Sequence, residues 1–599
     1  MRIHTYHKSV LAPCVSTVVH PTENPNNCES DLYFQQSLII LIQFHLLNRL
    51  VDIAIASSHD EPHRHLHCLK QECHSFFNQI GYMSYNFFES ALLAVKMFFQ
   101  TNTVSVDSND LPQLYSFASF FDSKAHSILL HVDITFIVDD FLSYSELLSG
   151  LVMKMKYDDD VAFLNKAYTF FPYLKQLHVR VSSSVSMVFI QMLKVNDTVT
   201  SIDLSGNSIG VEGARAFADA LKVNSSVASV NISDNSIGDE CARELAEALK
   251  INTSVTTINI SGNSIGVEGA RELAEALKVI TSVTIINISD NSIGDEGARA
   301  FADAFKINTL VTTINISDNS IGDEGARELA EALKVITSVT IINISDNSIG
   351  DEGARAFADA LKVNSSVADI DLKCNSIESD GLTIIANALK TNGALTKLSM
   401  NGNSIGDKGV EALADALKVN VTLTIIDLCE TSIGDEGVGA LADALKVNDT
   451  IEHIGLSFNC IEDEGARALA EALKINTVVT SITLIGNSIG NEGAVTLAEA
   501  LTVNDTLINI NLEENVIGDA GASALADALK VNDSLAVIDL SWNVIGDEGA
   551  KALADALRIN VFVINLWLGG NSFGEVGCRA LIDAFKVNDK VNHSGLVLP

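Results

Sequence analysis

The stretch Gly325 to Ala360, GARELAEALKVITSVTIINISDNSIGDEGARAFADA, stands a second time at Gly269 to Ala304, 56 residues earlier. Inside it runs a shorter unit. From Val339 to Asn347 the chain reads V-T-I-I-N-I-S-D-N, with apolar residues at fixed offsets before an Asn. That Asn returns at 207, 235, 263, 291, 319, 347, 375, 403, 459, 487, 515, 543 and 571, always 28 residues on, or 56 where Thr431 takes its place. A fixed period of this length is the signature of a solenoid, and it decides the fold before any single residue does.

Working outward, fourteen units begin at Val199 and repeat to Val563, filling 199–590. Each opens on a short strand whose apolar residues, such as Ile342 and Ile344, face inward. A helix such as Glu352 to Lys362 follows, with Ala354, Phe357, Ala358 and Leu361 on one face at helical spacing. Asp351 and Glu352 in its first turn and Lys362 in its last suit the helix dipole. One unit cannot cover its own apolar face, so units must stack. The expected architecture is α/β: parallel strands on a concave face and helices on the convex one. Residues 171–198 read as a degenerate N-terminal capping repeat, with Leu174, Leu177 and Val179 imitating the strand and Val185 to Leu193 the helix. Residues 591–599 read as a C-terminal cap. Upstream, 1–30 reads as poorly ordered. Residues 31–170 read as a small, mostly α-helical domain, with helices over 31–57, 84–100, Leu114 to Leu130 and Phe141 to Met155, a loop over Asn102 to Pro112 and a strand over Val132 to Val138.

The unit L-x-x-L-x-L-x-x-N followed by an amphipathic helix resembles the leucine-rich repeat. The 28-residue period with G-A-R-x-L/F-A-x-A-L-K is similar to the ribonuclease-inhibitor type. The phrases N-S-I-G-D-E-G-A (Asn291 to Ala298) and A-L-K-V-N (Ala220 to Asn224) resemble the C-terminal repeats of NOD-like receptors of the NLRC type. The resemblance implies a horseshoe solenoid and a non-catalytic protein-interaction scaffold in NOD-like-receptor-type signalling or innate-immune regulation. Two alternatives come with the same repeat type. One is a small-GTPase regulator resembling the Ran GTPase-activating proteins. The other is a ribonuclease inhibitor, although those look richer in Cys and Trp. NOD-like receptors place a nucleotide-binding module ahead of their repeats, and no G-x-x-x-x-G-K-[ST] occurs in this sequence.

Composition narrows the partners. Lys+Arg 39 against Asp+Glu 76 gives 39 − 76 = −37, which disfavours nucleic acid and anionic membranes and favours a partner with a basic surface. Much of that charge is expected on a solvated convex face. Nine scattered Cys, without a paired framework, point to a reducing compartment, and the N-terminus lacks a long apolar run, so a cytoplasmic location is expected. No stretch approaches the ~20 apolar residues of a membrane span.

Three constellations carry side chains capable of chemistry. Gly206-Asn-Ser208-Ile-Gly210 matches G-x-S-x-G, but the same pattern recurs at Ser264, Ser404, Ser488 and Ser572 as repeat consensus, whereas a nucleophile elbow occurs once. His59, His63, His65, His67, Cys68, Cys73 and His74 are metal-ligand types without metal-ligand spacing. The repeat Asn is expected to satisfy turn backbone in its own and the next unit, and Thr431, lacking an NH₂ group, to leave its turn looser. No catalytic residue, metal or cofactor is expected.

The concave face carries the binding expectation. Five successive Asn (231, 259, 287, 315, 343) are expected to bond to one another as an amide ladder, leaving repeats 2–6 as spacer. The later units vary, and there Lys397, Glu430, His453, Phe458, Glu513, Glu514, Trp542 and Trp567 fall on or beside the concave strands. Exposed Trp beside carboxylates is the chemistry of an interface hot spot, so these eight are the candidate protein-binding residues.

Overall fold

The computed structural model describes residues 190–590, apart from positions 192, 281 and 589, and four strands before them, at Val104–Asp107, Ile128–Ile134, Leu148–Met155 and Gln176–Arg180. The chain divides into two compact units, Met1–Lys154 with Thr169–Leu174, and Met155–Tyr168 with Lys175–Pro599. In the first, Val104–Asp107 pairs in parallel with Ile128–Ile134, Val104 opposite Leu130. Val104–Asp107 stands where a loop is expected, Ile128–Ile134 covers the end of an expected helix and the start of the strand expected at Val132, and Leu148–Met155 is a strand where helix is expected. Gly150 in that segment disfavours a helix interior by about 1 kcal/mol. The other expectations for 1–170, the His59 to His74 cluster and the cap at 591–599 lie outside the described residues.

The second unit is the array. Gln176–Arg180 pairs in parallel with Ser201–Asp203, Leu177 beside Ile202. From there each strand pairs in parallel with the equivalent residues 28 positions on, ending with Val537–Asp539 against Asn565–Trp567. Each strand is followed by a helix of 11 to 13 residues, and consecutive helices pack side by side. Helices need about 8–10 Å between axes and strands only about 4.8 Å, so the stack must curve with the strands inside. Val339, Ile342, Ile344, Ala354, Phe357, Ala358 and Leu361 are all buried between the two layers, as the periodicity predicts.

The repeat Asn joins units, in the direction opposite to the expected one. Asn347 Nδ2 donates to Ile344 O (3.1 Å) and Ser345 O (2.9 Å) in its own unit and to Ile316 O (3.2 Å) in the preceding one. Its Oδ1 accepts from Asn319 N (3.1 Å) and Ile321 N (2.8 Å), also in the preceding unit. Thr431 Oγ1 reaches only Leu428 O (2.6 Å) and Asn459 Oδ1 (3.3 Å). Thr431→Asn should restore the reach to repeat 8 and raise stability by about 1 kcal/mol. A rise in Tm is expected, and a fall would sink this reading.

A second Asn series, the last residue of the A-L-K-V-N phrase, closes the other turn. Asn364 Nδ2 donates to Leu333 O (2.7 Å) and Ile336 O (3.0 Å), and Oδ1 accepts from Ser366 N and Val367 N (both 2.9 Å). Ile280 and Ile336 take its place in repeats 3 and 5.

The first-turn Asp does more than complement its own helix. Asp323 Oδ1 accepts from Gly350 N and Gly353 N (both 2.8 Å), at the start of the next repeat's helix. It thus satisfies two of the N–H groups a helix N-terminus leaves open. Asp239, Asp295, Asp351, Asp407, Asp435, Asp463, Asn491, Asp519 and Asp547 act alike. Where the preceding unit offers Val211, Val267 or Ser379 instead, the backbone responds. Gly238, Gly294 and Gly406 then take φ of +63°, +57° and +61°, and the helix begins one residue earlier. After an Asp the same position is extended, as at Gly350 (φ −101°). Only there does a non-glycine stand: Glu378 after Asp351 and Glu462 after Asp435.

Candidate functional site

A strand in this array buries its second residue and, Ser399 apart, leaves its first and third at least partly exposed, as in Ile341, Ile342 and Asn343. The concave surface is therefore built from columns of equivalent positions, about 4.8 Å apart from unit to unit. Past the strand, one turn residue per unit, equivalent to Asp346, has φ between +48° and +73° in all fourteen units. Its N–H donates to the carbonyl of the preceding turn position in the next unit, as Asp346 N does to Lys373 O (2.9 Å). This forms a rim along the sheet.

The amide ladder does not form as expected. Asn231, Asn259, Asn287, Asn315 and Asn343 each turn Oδ1 back to the N–H two residues on, at Ser233, Ser261, Ser289, Ser317 and Ser345 (2.9–3.1 Å). The only described side-chain link between units in this column is Asn231 Nδ2 to Asp203 Oδ1 (3.0 Å). An Asx turn within the chain wins because it is local and closes without aligning neighbouring side chains.

The eight candidate residues fall into three places. Lys397 and His453 open their strands in one column, two units apart. Lys397 Nζ is paired with Asp369 Oδ2 at 3.1 Å, so its charge is largely met within the sheet. Trp567 ends its strand, half-buried, opposite Asp539 in the register. Glu430, Phe458, Glu514 and Trp542 lie on the rim, with φ of 56°, 54°, 55° and 53°. Glu513 precedes Glu514, and burial, then Asp539, then Glu514 push its carboxyl above the usual range. The two Trp are thus in adjacent units but on different columns.

Left-handed backbone costs a non-glycine residue roughly 1–2 kcal/mol, with Asp and Asn most tolerant. Gly or Asp fills most rim positions, and Glu, Phe and Trp do so against preference. Trp542 is 65% and Phe458 48% exposed, so neither conformation is held by burial of the ring. Held outliers of this kind gather at functional sites. A second apolar line, of Val or Ile after each helix (Val223, Ile251, Val363 and equivalents), is also exposed. It is nearly uniform along the array and singles out no part of it.

Nothing described resembles a reactive centre. Burial chiefly pushes the thiols of Cys241 and Cys429 up to about 11, away from thiolate nucleophiles. Among the described residues no cluster of His, Cys, Asp and Glu could hold a metal ion, and no helix is long and apolar enough to cross a membrane.

Comparison with known proteins agrees with this geometry. Residues 178–487 match the family profile described as the NLRC3 LRR domain, and 503–526 and 531–554 match a leucine-rich-repeat profile. The chain belongs to the leucine-rich-repeat family, with repeats of the NLRC3 LRR-domain type. Domains of this family present their stacked surface to other proteins. No curated protein matches the chain. Among solved structures, "Leiomodin-1 Actin-Binding Site 2 (ABS2)" is 24% identical over 22% of this chain and 76% of its own, with a TM-score of 0.20, too low to carry an argument.

Proposed function

We propose that the array is a non-catalytic interaction scaffold that holds a protein partner with a basic surface on the concave side and rim of its C-terminal half. The carrying observation is the pair of exposed aromatics, Phe458 and Trp542, held in left-handed backbone on a rim whose N–H groups are bonded from unit to unit. Such a surface is preformed, so little ordering opposes binding. The surrounding carboxylates and the net charge of −37 steer a basic partner toward it. The described Cys241, Cys374, Cys429, Cys460 and Cys578 are unpaired, which suits a reducing, cytoplasmic setting. The family supports a place in NOD-like-receptor-type signalling, by analogy of repeat type.

The test is capture of cross-linked partners by the full chain and by a variant carrying Trp542→Ala and Trp567→Ala. The variant should lose the partners that the parent captures specifically, with its circular dichroism unchanged. Equal capture by both proteins would remove the C-terminal concave half as the interface.

A further inference from the structure

We propose that the rim of repeats 9–14 binds an extended peptide segment bearing two arginine or lysine residues four positions apart. Each cation would lie against one aromatic ring and one carboxylate. The inference rests on the interaction reading above and names the chemistry of the partner.

Read from repeat 9 to repeat 14, the rim residues are Glu430, Phe458, Gly486, Glu514, Trp542 and Gly570. The order carboxylate, aromatic, glycine thus occurs twice, three repeats apart. The glycine in each triplet is part of the device. A methyl group built on Gly570 would stand 2.6 Å from Trp542 Cδ2, and one on Gly486 would collide with the Phe458 ring. Each ring therefore lies over the glycine of the following unit, on ground that a side chain would otherwise occupy. The backbone beneath is fixed, since Glu430 N, Phe458 N, Glu514 N and Trp542 N donate to Ser457 O, Ile485 O, Ser541 O and Gly569 O at 2.6–2.9 Å.

What the rim of repeats 9–14 lacks is a cation. No Lys or Arg occupies any of the fourteen rim positions. The described ion pairs lie on the helices or at Lys373 and Lys397, and none engages Glu430 or Glu514. A ring face beside a carboxylate attracts a guanidinium or ammonium through both the ring quadrupole and the charge. Arginine suits it best, because the planar guanidinium can stack and donate together. Three repeats at strand spacing span about 14 Å, and an extended chain covers that in about four residues at roughly 3.4 Å each. The two triplets therefore select a spacing as well as a charge.

The experiment uses the full chain and fluorescein-labelled Gly/Ser peptides carrying two Arg at spacings of two, four or seven, measured by anisotropy. The spacing of four should bind tightest, and Phe458→Ala or Trp542→Ala should each weaken it about tenfold. Glu430→Gln with Glu514→Gln should weaken it and flatten its salt dependence. Affinity indifferent to spacing, or unchanged when both aromatics are removed, would overturn the proposal, leaving only non-specific attraction to an acidic chain. Loss of cross-linked partners in the Trp542→Ala, Trp567→Ala variant without any peptide binding would keep the interaction surface and overturn the two-cation reading.

Discussion

Asn263→Ala should destabilise its neighbourhood by about 4 kcal/mol while leaving the far end of the array intact. The side chain is fully buried and shares its two amide hydrogens among Ile232 O (2.9 Å), Ile260 O (3.0 Å) and Ser261 O (2.9 Å). Its Oδ1 accepts from Asn235 N at 2.9 Å. Alanine replaces none of these, so backbone groups of repeats 2 and 3 are left buried without partners. Stability in a stack is a sum of unit and nearest-neighbour contributions. Hydrogen exchange in the full chain should therefore quicken across repeats 2 and 3 and stay unchanged from repeat 9 onward. A uniform change along the array would contradict this local account, as would no change at all.

The second large effect concerns the carboxylates that reach into the next unit. Asp351→Ala should destabilise by about 2–3 kcal/mol and Asp323→Ala by only about 1 kcal/mol, although both remove the same pair of acceptor bonds. The difference lies downstream. After Asp323 comes Gly350, which is free to adopt the left-handed conformation that Gly294 shows after Val267. After Asp351 comes Glu378, extended at φ −104°, for which the same escape carries the side-chain penalty. Adding Glu378→Gly to Asp351→Ala should bring the loss back to about 1 kcal/mol. Protection of the helix capped by each carboxylate is the readout, Asp351–Leu361 for Asp323→Ala and Ser379–Leu389 for Asp351→Ala. Equal losses for the two single variants would show that the glycine conformation does not respond to the carboxylate.

The period and the apolar offsets made the array legible: strand, turn Asn and buried helix face all follow from Val339 to Leu361 read once. Less visible was the side toward which each polar group points. A 28-residue period says that neighbours touch, but not that Asn347 serves the unit before it while Asp351 serves the unit after it. The partners of Asp351 lie 27 and 30 residues away, beyond any local capping rule. One signal was present, since Glu378 and Glu462 interrupt the glycine column only behind an Asp. The candidate residues stand out in the sequence because they vary from the repeat, and in the fold they fall on separate columns. Glu430, Phe458, Glu514 and Trp542 share the rim column, whose left-handed backbone is invisible in a string where the same position more often reads Gly or Asp. At Leu148–Met155 apolar content suggested a helix, and a short apolar run does not by itself distinguish the two.

The dependence of Glu378 on Asp351 has a consequence for how such a chain can grow or shrink. Gene segments for repeat 7 or repeat 10 spliced behind one ending like repeat 3 would carry a penalty of roughly 1–2 kcal/mol, because Val267 would leave a glutamate in left-handed backbone. Segments that open on glycine can follow any predecessor. Duplication and loss should therefore concentrate among the glycine-opening units, and the doubled stretch at Gly269 and Gly325, whose following units open on Gly294 and Gly350, lies among them.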